Sequence, residues 1–344
     1  MKTDSTPRRV RRGRTLGGLV LAGALLVAGC GTSADDAGGD SAQPAGSGGP
    51  QTLKVTTLGL CNEISVYWAQ AKGLFAKHGV NVQTVKSTGG AAGLSALQSG
   101  DIDLAFTNPF STMIAISRGI PLQWIATAYG TPTDESAATN AIAVAKDSPI
   151  KSAKDLEGKT IGVNEIGGIN QIITTAWLKE KGANPAGVKF VALPFNELAS
   201  AVATGKIAAS QTPAQTVDPK LGLKTLGDPY VVAGKGKSLV FAGYVTTTEK
   251  SKTLQKAMQG YQAALIEADT QINDPANKEE HFTLAAQNCK QDVNVLKAIK
   301  ENPYLAEVDA GALTQMAQIL KDQGVIADPP AVDSFVPAYV VKTG

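Results

Sequence analysis

Between residues 53 and 245 short apolar runs alternate with helix-length amphipathic segments, and this rhythm limits the fold more than any other feature of the chain. Strands are read over 53–58, 80–85, 104–106 and 122–129, with helices over 65–77, 90–99 and 110–118 between them. After a polar stretch at 134–140 the rhythm resumes. Strands are read at 141–145, 160–163, 188–193, 207–209 and 239–245, with a helical turn at 152–156 and helices at 169–181 and 197–204. Short buried strands separated by single helices predict a parallel sheet covered on both faces. Beyond Thr248 the pattern is helical alone, over 250–270, 278–288, 293–302 and 310–323, and the proline-bearing tail 328–341 reads as extended. Two alternating blocks with a helical tail predict an α/β chain of two lobes.

The head of the chain has a different character. Lys2, Arg8, Arg9, Arg11, Arg12 and Arg14 precede an uncharged stretch, 16–28, that is too short for a stable membrane span. A basic head, a short apolar middle and small residues at the end make a secretion signal. The segment Leu26-Val27-Ala28-Gly29-Cys30 resembles the bacterial lipobox, which implies removal of 1–29 and a lipid on Cys30. The alternative is an ordinary signal with an incidental cysteine, but charge, length and position favour the lipobox. Residues 30–51, almost all Gly, Ser, Ala, Asp, Thr, Gln and Pro, read as a disordered tether with too little apolar surface to fold. The expected location is the extracytoplasmic face of the cell membrane, anchored through Cys30.

The whole chain has 32 basic and 30 acidic residues, but 1–29 holds six of the former and one of the latter. The remainder has 26 against 29, a net charge of −3, and its sole arginine is Arg118. That balance gives no electrostatic case for nucleic acid. With Cys30 lipidated, Cys61 and Cys289 remain, and an oxidising compartment favours a bond between them over two buried thiols.

Polar loops follow the predicted strands: 59–65 with Asn62, Glu63 and Ser65; 86–90 with Lys86, Thr88, Gly89 and Gly90; and Thr107-Asn108-Pro109. In the second block Glu165, Gly167, Gly168 and Asn170 follow one strand, and Asn196 follows another. Ligands of open α/β sheets sit beyond the carboxyl ends of the strands, where free N–H groups of helix starts bind polar groups. Taken singly each loop reads as a helix cap; five converging in two lobes read as a binding cleft. Trp68, Trp124 and Trp177 read as core, with Tyr67 or Trp68 near enough to the first loop to wall a pocket. Gly167-Gly168 lacks the spacing of a dinucleotide fingerprint. His78 and His281 read as surface residues without a partner at metal-ligand spacing, and no site loop carries a histidine for acid–base work. Neither cofactor nor metal is expected.

Several segments resemble the solute-binding proteins of ABC importers, in the branch that handles nitrate, sulfonates, taurine and thiamine precursors. They are 67–80, Ser87-Thr-Gly-Gly90, Leu97-Gln-Ser-Gly-Asp-Ile-Asp-Leu-Ala-Phe106 and Asp155-Leu-Glu-Gly-Lys-Thr-Ile-Gly-Val163. The similarity runs from about Thr52 to beyond Val245. It implies a type II periplasmic-binding fold, with lobe one at 52–140 and 240–344, lobe two at 141–239, and a hinge where the chain crosses near Ala141 and Leu239. It also implies a monomer that captures a small polar molecule and hands it to a permease. The family often shows an Asp after the short strand of lobe two, whereas this chain reads Gly205-Lys-Ile-Ala-Ala-Ser-Gln-Thr-Pro213. Two other functions compete. Thiamine-pyrimidine synthases use the same fold but need a cysteine-rich motif with lysine and histidine, and a ligand-sensing lipoprotein would engage a receptor instead of a permease.

Overall fold

The computed structural model describes residues 49–217, 219–298 and 300–343. The secretion signal, Cys30 and the tether up to residue 48 lie outside the described residues. The first described element is strand β1 (Gln51–Thr57), which pairs in parallel with β2 (Val80–Lys86). Between them lie α1 (Ile64–Ala71) and α2 (Leu74–Lys77). The single helix read over 65–77 is broken because Gly73 takes φ 67°, a left-handed conformation that ends a right-handed helix. Then follow α3 (Gly90–Gln98), β3 (Ala105–Thr107), α4 (Pro109–Ser117) and β4 (Leu122–Gly130). Asn108 caps α4, its Oδ1 accepting from Ser111 N at 2.9 Å, with Pro109 in the first turn where no N–H is needed.

The chain then leaves this sheet and builds a second one. Its elements are β5 (Asn140–Ala145), β6 (Thr160–Val163), α5 (Ile169–Glu180), β7 (Lys189–Ala192), α6 (Phe195–Ala203), β8 (Ala209–Pro213), β9 (Leu223–Thr225) and α7 (Pro229–Gly234). The strand order is β7-β6-β8-β5-β9. The return strand β10 (Val240–Thr247) lies between β3 and β4, and Val55 bridges Leu104 to bring β1 alongside β3. Outgoing and returning segments run side by side: Thr131 N donates to Leu239 O and Leu239 N to Thr131 Oγ1, both at 2.9 Å.

The sheets are mixed, not parallel throughout. β10 is antiparallel to β3 and β4, and β5 is antiparallel to β8 and β9. The exceptions are strands next to the two crossings. A strand that arrives from the other half is not joined to its neighbours by a helical crossover, so the parallel rule does not bind it. The strand expected at 207–209 is Ala209–Pro213, whose Ser210, Gln211 and Thr212 are fully buried. Its polar sequence hides it from an apolar reading; inside, Gln211 Nε2 donates to Asn140 Oδ1 at 3.3 Å, while Ser210 Oγ and Gln211 Oε1 have no partner among the described residues.

The helical remainder comprises α8 (Thr248–Thr253), α9 (Gln255–Ile272), α10 (Lys278–Cys289), α11 (Val293–Lys297) and α12 (Ala310–Asp322). The tail is not wholly extended, since it contains α13 (Val332–Phe335). Trp68 and Trp124 are buried in the core of the first sheet and its helices, and Trp177 in the core of the second. Trp68 Nε1 donates to Gln271 Oε1 at 2.9 Å, which places it in the α1–α9 packing and away from any pocket wall. Among the described residues no helix is long and apolar enough to cross a membrane.

Cys61 and Cys289 form a disulfide with Cα atoms 4.9 Å apart, across a sequence separation of 228. It fastens the loop after β1 to the end of α10. Free-thiol titration of oxidatively folded protein, denatured without reductant, should find neither Cys61 nor Cys289 reactive. Cys289→Ser should lower unfolding free energy in urea by roughly 2–5 kcal/mol. Two reactive thiols, or an unchanged urea midpoint, would contradict the bond's role.

Candidate functional site

The tips of the strands in both sheets carry the predicted site residues, and the structure sorts them into three groups. The first comprises residues consumed by their own half. Glu63, 1 % exposed, turns its carboxylate back into its loop, where it accepts from Leu58 N (2.8 Å), Gly59 N (2.8 Å) and Leu60 N (3.2 Å). Burial raises its pKa to about 7 against the pull of those N–H groups. Ser65 Oγ donates to Asp269 Oδ1 at 2.5 Å, tying α1 to α9. Asp269 is buried and pushed up to about 8, again by loss of solvent. Both side chains read as ligand groups are therefore internal fasteners.

Asn170 also belongs to this group. It is 1 % exposed in the first turn of α5, not in a loop. Its Nδ2 donates to Asn164 Oδ1 at 2.6 Å and its Oδ1 accepts from the Tyr230 hydroxyl. The sequence shows an Asn after a Gly-Gly turn, which reads as exposed because nothing nearby reveals that Tyr230 folds onto it. Asn108 is committed to Ser111, as described above, and its Nδ2 also reaches Ser111 Oγ at 3.0 Å.

The second group meets across the two halves. Glu165, in the loop after β6, is half-buried beside the first turn of α3; burial raises its pKa, and the nearby Ala91 N–H lowers it in part. Its Oε2 lies 3.7 Å from where a Cβ on Gly89 would stand. Gly90 is required at its position, since a Cβ there would come within 2.7 Å of Thr107 Oγ1. Thr107 is 2 % exposed and its Oγ1 has no hydrogen-bond partner among the described residues. Gly168 packs on the stem of Glu165, and the Gly167 N–H donates to Gln171 Oε1 at 2.7 Å. Below this junction Ile169, Ile172 and Ile173 of α5 join the same apolar core as Phe110 and Met113 of α4.

The third group stays at the margin. Tyr67 is half-buried beside the Thr57 hydroxyl. Asn62 faces the Tyr129 hydroxyl, and its buried Oδ1 has no partner among the described residues. Thr88, Lys86 and Asn196 are exposed, and Arg118 is exposed at the end of α4.

Sequence reading missed several residues. Asp228, fully buried, accepts from Thr139 N (3.2 Å), Asn140 N (3.0 Å) and Tyr230 N (2.8 Å), which pins the start of β5 to the start of α7. Burial raises its pKa to about 6. The pair Asp228-Pro229 is a helix-start signature that would have found it. An aromatic row, Tyr129–Phe241 (5.1 Å between ring centroids) and Phe241–Tyr230 (4.8 Å), continues the packing from β4 to α7.

His281, read as a surface residue, is 2 % exposed and stacked on Phe282, its Nδ1 3.0 Å from Glu301. Burial pushes its pKa down to about 4, so it is neutral at physiological pH. A helix face of mixed composition hid that burial. His78 sits 2.8 Å from Glu267 on α9. Beside His281 and Asn62 lies a cavity of about 30 Å³, room for about one water and too small for a solute. Among the described residues no group of three His, Cys, Asp or Glu could hold a metal ion.

Comparison with known proteins follows this geometry. The family model "NMT1/THI5 like" matches residues 61–265. A Haemophilus influenzae protein named for thiamine biosynthesis is 21 % identical over 280 residues, covering 78 % of this chain and 85 % of that protein. The periplasmic aliphatic sulphonate binding protein SsuA from Escherichia coli superposes with a TM-score of 0.67 at 19 % identity, over 86 % of this chain and 94 % of that one. The alkanesulfonate-binding protein SsuA from Xanthomonas axonopodis pv. citri, bound to MOPS, superposes with a TM-score of 0.69 at 18 % identity, over 86 % and 100 %. The fold is thus the two-lobed α/β fold of periplasmic-binding proteins.

Two outcomes follow from these contacts. Asn170→Ala leaves the buried Tyr230 hydroxyl unpaired and should cost ~1–3 kcal/mol in a urea melt; no change would show that this pair does not hold α5 to α7. The second concerns pH. Glu63, Asp228 and Asp269 all bind their proton more tightly when folded, with pKa values near 7, 6 and 8 against 4.5, 3.8 and 3.8. Their stabilising effect is full below the unfolded values and is lost as pH rises through the folded ones. The urea midpoint should therefore fall between about pH 5 and pH 8, and Asp269→Asn should flatten the upper part of that fall. A midpoint that climbs over this range would refute the shifts.

Proposed function

The chain belongs to the NMT1/THI5-like family, and from that premise we propose that it is an extracytoplasmic solute-binding protein of an ABC importer. One small polar molecule is held where the loops of the two halves meet, and the loaded protein hands it to the permease. The observation that carries this reading is the approach of Glu165 to Gly89, where a loop of the second sheet meets a helix start of the first. Residues 52–140 with 240–344 form one lobe and 141–239 the other, in keeping with the strand membership of the two sheets. The paired segments at Thr131 and Leu239 serve as the hinge. Closure about such a hinge buries the ligand and completes the surface that a permease reads.

The lipid anchor is part of the same proposal. The basic head, short apolar run and Leu26-Val27-Ala28-Gly29-Cys30 support cleavage before Cys30 and attachment there, with the chain from Cys30 up to β1 as the tether. The protein acts as a monomer and binds without turnover. A relative named for thiamine biosynthesis keeps an enzymatic reading in play. Against it, His281 is buried behind the loop after β1 and His78 is engaged with Glu267, so neither can serve as a base at the junction.

A thermal-shift screen of residues 49–344 against small polar solutes, followed by X-ray scattering with each hit, tests the proposal. A true ligand at 100 times its Kd raises stability by about 2.7 kcal/mol and should shrink the particle through closure. It should be recovered chemically unchanged. Conversion of the ligand, abolished by substitution in the site loops, would make the protein an enzyme. Separately, Cys30→Ala in the full chain should free the protein from the membrane fraction or stall its processing, and equal retention would refute the anchor.

A further inference from the structure

The first turn of α3 is the natural place for an anion in this fold. Its N–H groups have no partner within the helix, and the positive end of the helix dipole points at it. In this protein the place is already taken. The Glu165 carboxylate, which comes from the other half of the chain, lies against Gly89 at the start of α3, its Oε2 3.7 Å from where a Cβ on Gly89 would stand. The other run of exposed N–H groups at the strand tips, Leu58 to Leu60, is filled in the same way by Glu63. No guanidinium offsets these charges, because Arg118 lies exposed at the far end of α4. A further polar atom converges on the turn. Thr107 Oγ1 is 2.7 Å from the Cβ position of Gly90, deeply buried, and without a hydrogen-bond partner among the described residues.

We propose that Glu165 is the specificity-determining residue of this site: it occupies the anion-accepting turn of α3 and directs the site to a ligand that presents an N–H donor or a cationic nitrogen, and against oxyanions. The inference rests on the solute-binding reading above. An oxyanion at this turn must displace a carboxylate or sit against one, with like charge unrelieved. A nitrogen donor gains a charge-assisted hydrogen bond from the same carboxylate, and the Thr107 hydroxyl is free to serve a second polar group of the ligand. The turn therefore acts as a support for Glu165, holding a negative charge in the cleft where the backbone alone would hold a positive one.

The test compares wild type with Glu165→Ala and Glu165→Gln by isothermal titration at constant ionic strength, using sodium methanesulfonate and sodium nitrate as probes. Folding of each variant is checked by circular dichroism. Amide chemical shifts of Gly90 and Ala91 are followed in parallel. Glu165→Ala should gain at least about 10-fold in affinity for methanesulfonate over wild type, with the Gly90 and Ala91 amides moving as the probe saturates. Glu165→Gln, which keeps the shape and loses the charge, should gain less. Should Glu165→Ala fail to fold, a gain of Glu165→Gln over wild type, with the same amides moving, decides the matter. A folded variant that binds no better than wild type, or a wild type that binds either probe at the Ala91 amide, overturns the assignment. The result is independent of the natural solute: failure of the binding-protein reading would show as absent compaction of wild type with every solute screened, whatever these variants do.

Discussion

Backbone N–H groups holding carboxylates are the interaction on which the strand tips depend. Beyond residue 29 the chain has a single arginine, so its carboxylates at the tips find no guanidinium and pair with amide N–H groups instead. Glu63 closes the loop after β1 on three of them, and Asp228 joins the two crossing segments through another three. Glu165 lies across the two halves, against Gly89 at the start of α3. Each bond is charge-assisted and short in sequence reach or placed at a crossing, which is where a loop needs to be defined. Their cost is burial of charge, and the raised pKa values of Glu63 and Asp228 report that cost.

These fasteners divide the labour at the site. Glu63 and the disulfide at Cys61 make the loop after β1 rigid, the former within the loop and the latter against α10. Asn170 and Tyr230 do the same for the start of α5. At the junction of Glu165, the start of α3 and Thr107, the Thr107 hydroxyl is left without a hydrogen-bond partner among the described residues.

Much of the fold is legible in the sequence because it depends on local pattern. Strand–helix alternation locates β1, β2, β6 and α5 to within two residues, and the Asn108-Pro109 pair marks the start of α4. What is not legible depends on partners distant in sequence. The polar strand β8 is buried because it lies between β6 and β5, with Gln211 reaching Asn140, and the antiparallel placement of β10 follows from its return across the crossing. At the site, residue types were right and roles were not. Glu63, Ser65 and Asn170 are polar residues in or beside strand-tip loops, but each is claimed by a group that only the folded chain supplies: its own loop amides, Asp269 and Tyr230. Glu165 was recognisable as a candidate, while its partner, the start of a helix in the other half, was not.

The most direct test of the account is the identity of the molecule the protein carries. Protein isolated under gentle conditions and then denatured should release one small molecule per chain, identifiable by mass spectrometry. The account predicts a nitrogen-bearing solute, uncharged or cationic at neutral pH and chemically intact, whose affinity falls when Glu165 is replaced. Release of an alkanesulfonate or nitrate, bound as tightly by wild type as by Glu165→Ala, would contradict it.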